Sequence, residues 1–173
     1  MIRNLLVAAT AASVALAPVH AACWKSDEAS AAGVRELQSM LMVAALRCQV
    51  AGHPMMDDYN RFVQANRAAI GAMNDRIKAH FIHALGPVGG QRGYDSFTTS
   101  MANGYGAAAS GADVCDAADS LAREGALLNG SVEGLNLLVE REGLVAKLPE
   151  GLCEGAARMD YASAAGAPEA VRR

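Results

Sequence analysis

Residues 34–48, V-R-E-L-Q-S-M-L-M-V-A-A-L-R-C, constrain the fold more than any other part of this chain. Val34, Leu37, Leu41, Ala44 and Cys48 recur at steps of three and four, so a helix places them on one face. Met40 and Ala45 widen that face. The far side carries Arg35, Gln38, Ser39 and Arg47, but Met42 and Val43 make it less polar than a surface helix usually is. A helix apolar over most of its circumference belongs at the centre of an assembly. This one also ends in a cysteine.

The remaining pattern supplies helices to surround it. Ser26 caps the first helix, with Asp27 and Glu28 at the positive end of its dipole. Gly33 is a weak point within it, and Gly52 with Pro54 ends it after Val50. A second helix, from Asp57 to about Ala84, carries Tyr59, Phe62, Val63, Asn66, Ile70, Met73, Ile77 and Phe81 in one stripe. It is roughly 40 Å long at 1.5 Å per residue. Gly86-Pro87-Val88-Gly89-Gly90 ends it. A third helix, from Tyr94 to about Ala109, turns Tyr94, Phe97, Thr98, Met101 and Tyr105 inward, and Gly104 and Gly106 leave room for a close neighbour. Asp113 caps a fourth helix, Asn129-Gly130 breaks it, and Ser131 caps a fifth that ends near Gly143. Nothing alternates as a strand does. The expected fold is all-α: an antiparallel bundle of four to five helices, stapled by disulfides. It forms a single domain over 22–153, followed by a flexible tail over 154–173.

Residues 1–21 read as a secretory leader. Arg3 precedes the apolar run Leu5 to Ala17, Pro18 breaks it, and Val19-His20-Ala21 supplies a cleavage site. The run is too short to span a bilayer. Cys23 follows the cut, but His20 replaces the aliphatic residue that a lipidation signal needs three positions earlier. The expected location is therefore periplasmic or secreted, without a membrane span after leader removal. Loss of Arg3 takes the 15 Lys+Arg to 14 against 18 Asp+Glu, a net charge of −4. With no basic cluster, nucleic acid is not an expected partner.

In an exported chain four cysteines imply two disulfides, with three possible pairings. Alternating helix directions choose among them. Cys48 at the far end of the first helix and Cys115 in the first turn of the fourth fall at the same end of the bundle. That leaves Cys23 and Cys153 to join the chain ends. A bridge from Cys48 to Cys115 stabilises by about 4 kcal/mol in the chain-entropy model. The spacing contains neither C-x-x-C nor C-x-x-C-H, so no redox motif or haem attachment is offered.

Chemically suggestive residues are few. His53, Met55 and Met56 combine imidazole with thioether, a set suited to copper(I), and Met40 and Met42 lie on the adjoining helix. Methionine is also ordinary core filler. His80 and His83 lie three apart and could share a metal, although no carboxylate one turn away completes the set. Asn129 to Gly134 fails as a nucleophile elbow because Asn replaces the first glycine. Gly86 to Gly93 has no Lys-Ser/Thr and no preceding strand, so it is no phosphate loop. No cofactor is implied.

The runs Arg35 to Cys48 and Y-N-R-F-V (Tyr59 to Val63), followed by a later cysteine-bearing helix, resemble a family of small exported proteins from alphaproteobacteria. The likeness spans about Cys23 to Leu138. It implies a secreted, disulfide-bonded helical protein and transfers no catalytic residue. Some members carry the label S-adenosyl-homocysteine hydrolase. Here neither G-x-G-x-x-G nor strand–helix alternation supports that label. The sequence points to a non-enzymatic interaction or binding module acting on an unknown protein or small ligand. The alternative is a periplasmic carrier of copper or of a small ligand.

Overall fold

The computed structural model describes residues 22–107 and 111–154. The expected leader, and the expected tail beyond Glu154, lie outside the described residues. Five helices follow in order: α1 (Ser26–Val50), α2 (Met56–Ala65), α3 (Arg67–Gly106), α4 (Ala112–Leu127) and α5 (Val132–Arg141). The fold is an all-α bundle with two disulfides. Among the described residues the one β contact is a parallel bridge between Trp24 and Leu152.

α1 packs mainly along α3 and also touches α4, α2 and α5. Val34, Leu37, Leu41, Ala45 and Cys48 are buried, as their periodicity requires. Ser39 is buried too, although its position in the pattern put it on the polar side. Neighbours cover α1 on that side as well. Gly33 is a point of close approach, not a weakness. A Cβ there would lie 2.9 Å from Val139 Cγ1 of α5.

The expected second helix is cut in two at Asn66, whose backbone (φ −107°, ψ 13°) leaves the helical basin. Asn66 is fully buried and uses its whole amide. Nδ2 donates to the carbonyls of Phe62 (2.9 Å) and Gly125 (2.8 Å), and Oδ1 accepts from the Gly130 N–H (2.8 Å). A short amide side chain competes with the helical ladder. Here the break lets α2 pack along α4 and ties both to the α4–α5 turn. Phe62 packs against Gly125, where a Cβ would approach to 2.7 Å.

The break expected over Gly86 to Gly90 is confined to one residue. Gly86 alone turns the chain (φ 72°, ψ 172°), and the helix resumes at Pro87. Proline suits a first helical position because its missing N–H has no partner to lose. The arms 67–85 and 87–106 then fold onto each other. A Cβ at Gly90 would come within 2.5 Å of Ile82 Cα, and Phe81 and Phe97 rings lie 5.4 Å apart across the joint. The close approach expected at Gly104 and Gly106 occurs here instead, since a Cβ at either would meet open space.

Helix ends follow the capping rules with small shifts. Ser131 caps α5, its Oγ accepting from the Gly134 N–H at 3.0 Å. α1 begins one residue and α4 two residues earlier than expected, so Lys25 and Gly111 take the cap positions.

Trp24 closes the other end of the bundle. It is wholly buried, stacks on His80 with ring centroids 3.9 Å apart, and contacts Phe81 and Phe97. Its Nε1 donates to the Pro149 carbonyl at 2.7 Å. Its backbone N–H donates to Gly151 O, and its carbonyl accepts from the Cys153 N–H, both at 2.9 Å. Truncating an aromatic buried this way typically costs about 3–5 kcal/mol.

The glycines separate packing from propensity. Gly90→Ala forces a methyl group into the α3 backbone and lowers unfolding free energy by about 2 kcal/mol or more. Gly104→Ala adds a methyl group in open space on the same helix and is expected to raise it by about 0.5–1 kcal/mol. Urea midpoints of the two variants check both signs.

Candidate functional site

The two disulfides pair Cys48 with Cys115 and Cys23 with Cys153, with Cα–Cα distances of 5.7 and 4.9 Å. Cys48 and Cys115 are buried, and their bond fixes the last turn of α1 to the first turn of α4. Beside that bond lies a cleft of about 460 Å³. α1 contributes Met40, Val43 and Ala44, and α4 contributes Val114, Ala117 and Leu121. Tyr105 of α3 and Leu144, beyond α5, complete the walls. Charge is confined to Arg47, Asp113 and Glu142. Leu46 and Val50, 55 % and 90 % exposed, carry apolar surface past the cleft to the end of α1.

Three of the cleft's polar side chains have partners within the fold. Arg47 Nη1 donates to the Gly106 carbonyl at the end of α3. The Tyr105 hydroxyl donates to Glu36 Oε1 at 2.6 Å. Burial, and then Glu36 through its hydrogen bond and charge, hold that phenol protonated far above its ordinary range. Glu142 pairs with Arg141 at 2.9 Å. Arg141 also forks onto both oxygens of Glu124, linking α5 to α4. The cleft is concave, mostly apolar and of the size that small-molecule sites have.

The copper candidates fall elsewhere. His53 and Met55 line a second cavity of about 230 Å³ with Asp116 and Asp119, while Met56 packs against the core. Met55 is buried and His53 exposed. His80 and His83 part company: His80 is 5 % exposed with Nδ1 3.0 Å from Glu28 Oε2, whereas His83 faces outward. Among the described residues no group of three or more His, Cys, Asp or Glu is placed to hold a metal ion. No protein-family model, no curated protein and no solved structure matches this chain.

Two signals for the cleft were present in sequence. Met40 and Val43 sit off the main stripe of α1, and Val114 and Leu121 share a face of α4 across the expected disulfide. Leu144 carried no periodic signal, because it follows the last helix.

One carboxyl pair lies close by. Asp119 of α4 meets Asp58 of α2, while Arg61 pairs with Asp58 and Arg123 with Asp119. Asp119 Oδ1 is buried and finds no donor if both acids are ionised. Burial first, then Asp58, raise the Asp119 pKa against the pull of Arg123, and Asp116 adds to the rise. A carboxyl that holds its proton more tightly when folded adds stability below its unfolded pKa. That contribution is lost as pH rises through the raised folded value. Asp119→Asn is therefore expected to raise the melting temperature at pH 7 and to leave it unchanged near pH 3. Melting curves across that range check the sign.

Proposed function

We propose that this chain is an exported, periplasmic binding module without catalytic activity, belonging to the family that its 35–48 and 59–63 runs resemble. The cleft between α1 and α4 is its binding site. Its walls are apolar side chains on two helices held by a disulfide, and this observation carries the reading. A bridged site is pre-organised, so binding costs little ordering of the protein. The occupant is an apolar group, and the charges at the mouth point its polar end to solvent.

N-phenyl-1-naphthylamine, a neutral apolar fluorophore, tests this directly. Saturable one-to-one binding is expected. Ala117→Trp fills the cleft from an exposed helix position, leaves the melting temperature unchanged and weakens binding at least tenfold, or about 1.4 kcal/mol. Absence of saturable binding, or equal binding by the variant, contradicts the reading. Turnover of a substrate by the purified protein contradicts the non-catalytic part.

A further inference from the structure

The chain does not end its structural work at α5. Gly143 turns it back in a left-handed conformation (φ 62°), with Leu144 N–H donating to Val139 O at 3.0 Å. Residues 144–148 then run extended across α1. Leu144, Ala146 and Leu148 point inward, while Val145 and Lys147 are exposed. This is the alternation of a strand, yet no strand lies beside it. Among the described residues the backbone groups of 145–147 make no backbone–backbone hydrogen bond. The segment is tied only at its ends, by the Gly143 turn on one side and by Trp24 and the Cys23–Cys153 bond on the other.

The segment also lies at the surface: Ala146 joins the core and Leu144 and Leu148 pack against it, while open clefts flank it. Three cavities border it. Leu144 helps to line the 460 Å³ cleft, Ala146 and Leu148 a space of about 240 Å³ beside α5, and Lys147 one of about 390 Å³ beside α3. Between its two ends the segment is seated by side-chain packing and not by a backbone ladder. Cys23 is exposed, so the bond that latches the strap is open to thiols, unlike the buried Cys48–Cys115 bond.

We propose that residues 144–153 are an exchangeable strap and that the groove over α1 takes this same segment from a second copy of the chain. The occupant is specified because the groove already fits this sequence. The exchange repeats every contact with the partner's strap, so it costs only the hinge and the encounter. Two straps exchanged about a two-fold axis close the dimer. Each Cys153 then bonds Cys23 of the other copy, and each cleft receives Leu144 from its partner. Oxidation locks the form present at closure. Two cysteine thiols pass two electrons and two protons to oxidised glutathione, which leaves as two reduced glutathiones. This inference goes beyond the binding reading, and neither stands on the other.

Isotope mixing tests it. Equal amounts of ¹⁴N- and ¹⁵N-labelled protein are reduced, unfolded together and refolded in a glutathione couple at dilute and at about millimolar concentration, where encounter rivals a short tether. Dimer and monomer are separated by size, and disulfide-linked peptides are read by mass spectrometry. In the dimer, half of the Cys23–Cys153 peptides are expected to carry mixed label, while Cys48–Cys115 peptides carry none. Unmixed Cys23–Cys153 at every concentration overturns the proposal. So does equal mixing in both bonds, which is indiscriminate cross-linking. Gly143→Ala, strained at positive φ, is expected to raise the dimer-to-monomer ratio roughly fivefold per hinge. An unchanged ratio counts against the hinge.

Discussion

α1 offers water little of its surface, with no exposed residue between Ala31 and Ala45, and the rest of the fold answers that constraint. A surface helix needs one covered stripe, whereas this one needs cover all round. Both arms of α3 lie along it, α4 and α2 close another side, and α5 approaches closely enough to require Gly33. The strap after α5 covers what remains. Low aromatic content follows from the same demand, since small side chains let several helices approach one axis. At 5 % aromatic, the chain spends its few large rings where the cover must be sealed.

That seal is Trp24. Stacked on His80 and edged by Phe81 and Phe97, it fills the space between the start of α1 and the α3 turn. Its hydrogen bonds to Pro149, Gly151 and Cys153 attach the strap at the same place. Glu28 serves two purposes there, accepting from the Lys25 N–H at the start of α1 and from His80 Nδ1 across the interface. The two disulfides act at opposite ends of α1. One fixes the α1 and α4 walls of the cleft, and the other fixes the strap that contributes Leu144 to it.

Much of this was legible from residue spacing. The helical class, the central role of 34–48 and the end of the bundle at which Cys48 lies all follow from periodicity and alternating direction. The two largest departures, at Asn66 and at Gly86 to Gly90, share one cause. Periodicity reports which face is apolar, not whether the helix axis continues straight. Asn66 keeps its place in the stripe while bending the chain, because Gly125 and Gly130, far along the sequence, complete its hydrogen bonds. The glycine-rich run resembled a loop by composition, yet Gly90 and Gly93 are small because the Phe81 turn lies against them. Neither contact has a local signature. The cleft was half legible: its helical walls follow from stripes, but Leu144 and the strap lie where no period operates. Trp24 gave no signal beyond being the single tryptophan.

Native-state hydrogen exchange read along α1 tests the central claim most directly. If α1 is covered on every side, its amides from Ala32 to Ala45 exchange only through global unfolding and are the slowest in the protein. Their opening free energy then matches the unfolding free energy from denaturant titration. Exchange of those amides through a smaller opening, at rates no slower than those of α5, would contradict the account. α1 would then be one helix among five and not the one the others are built around.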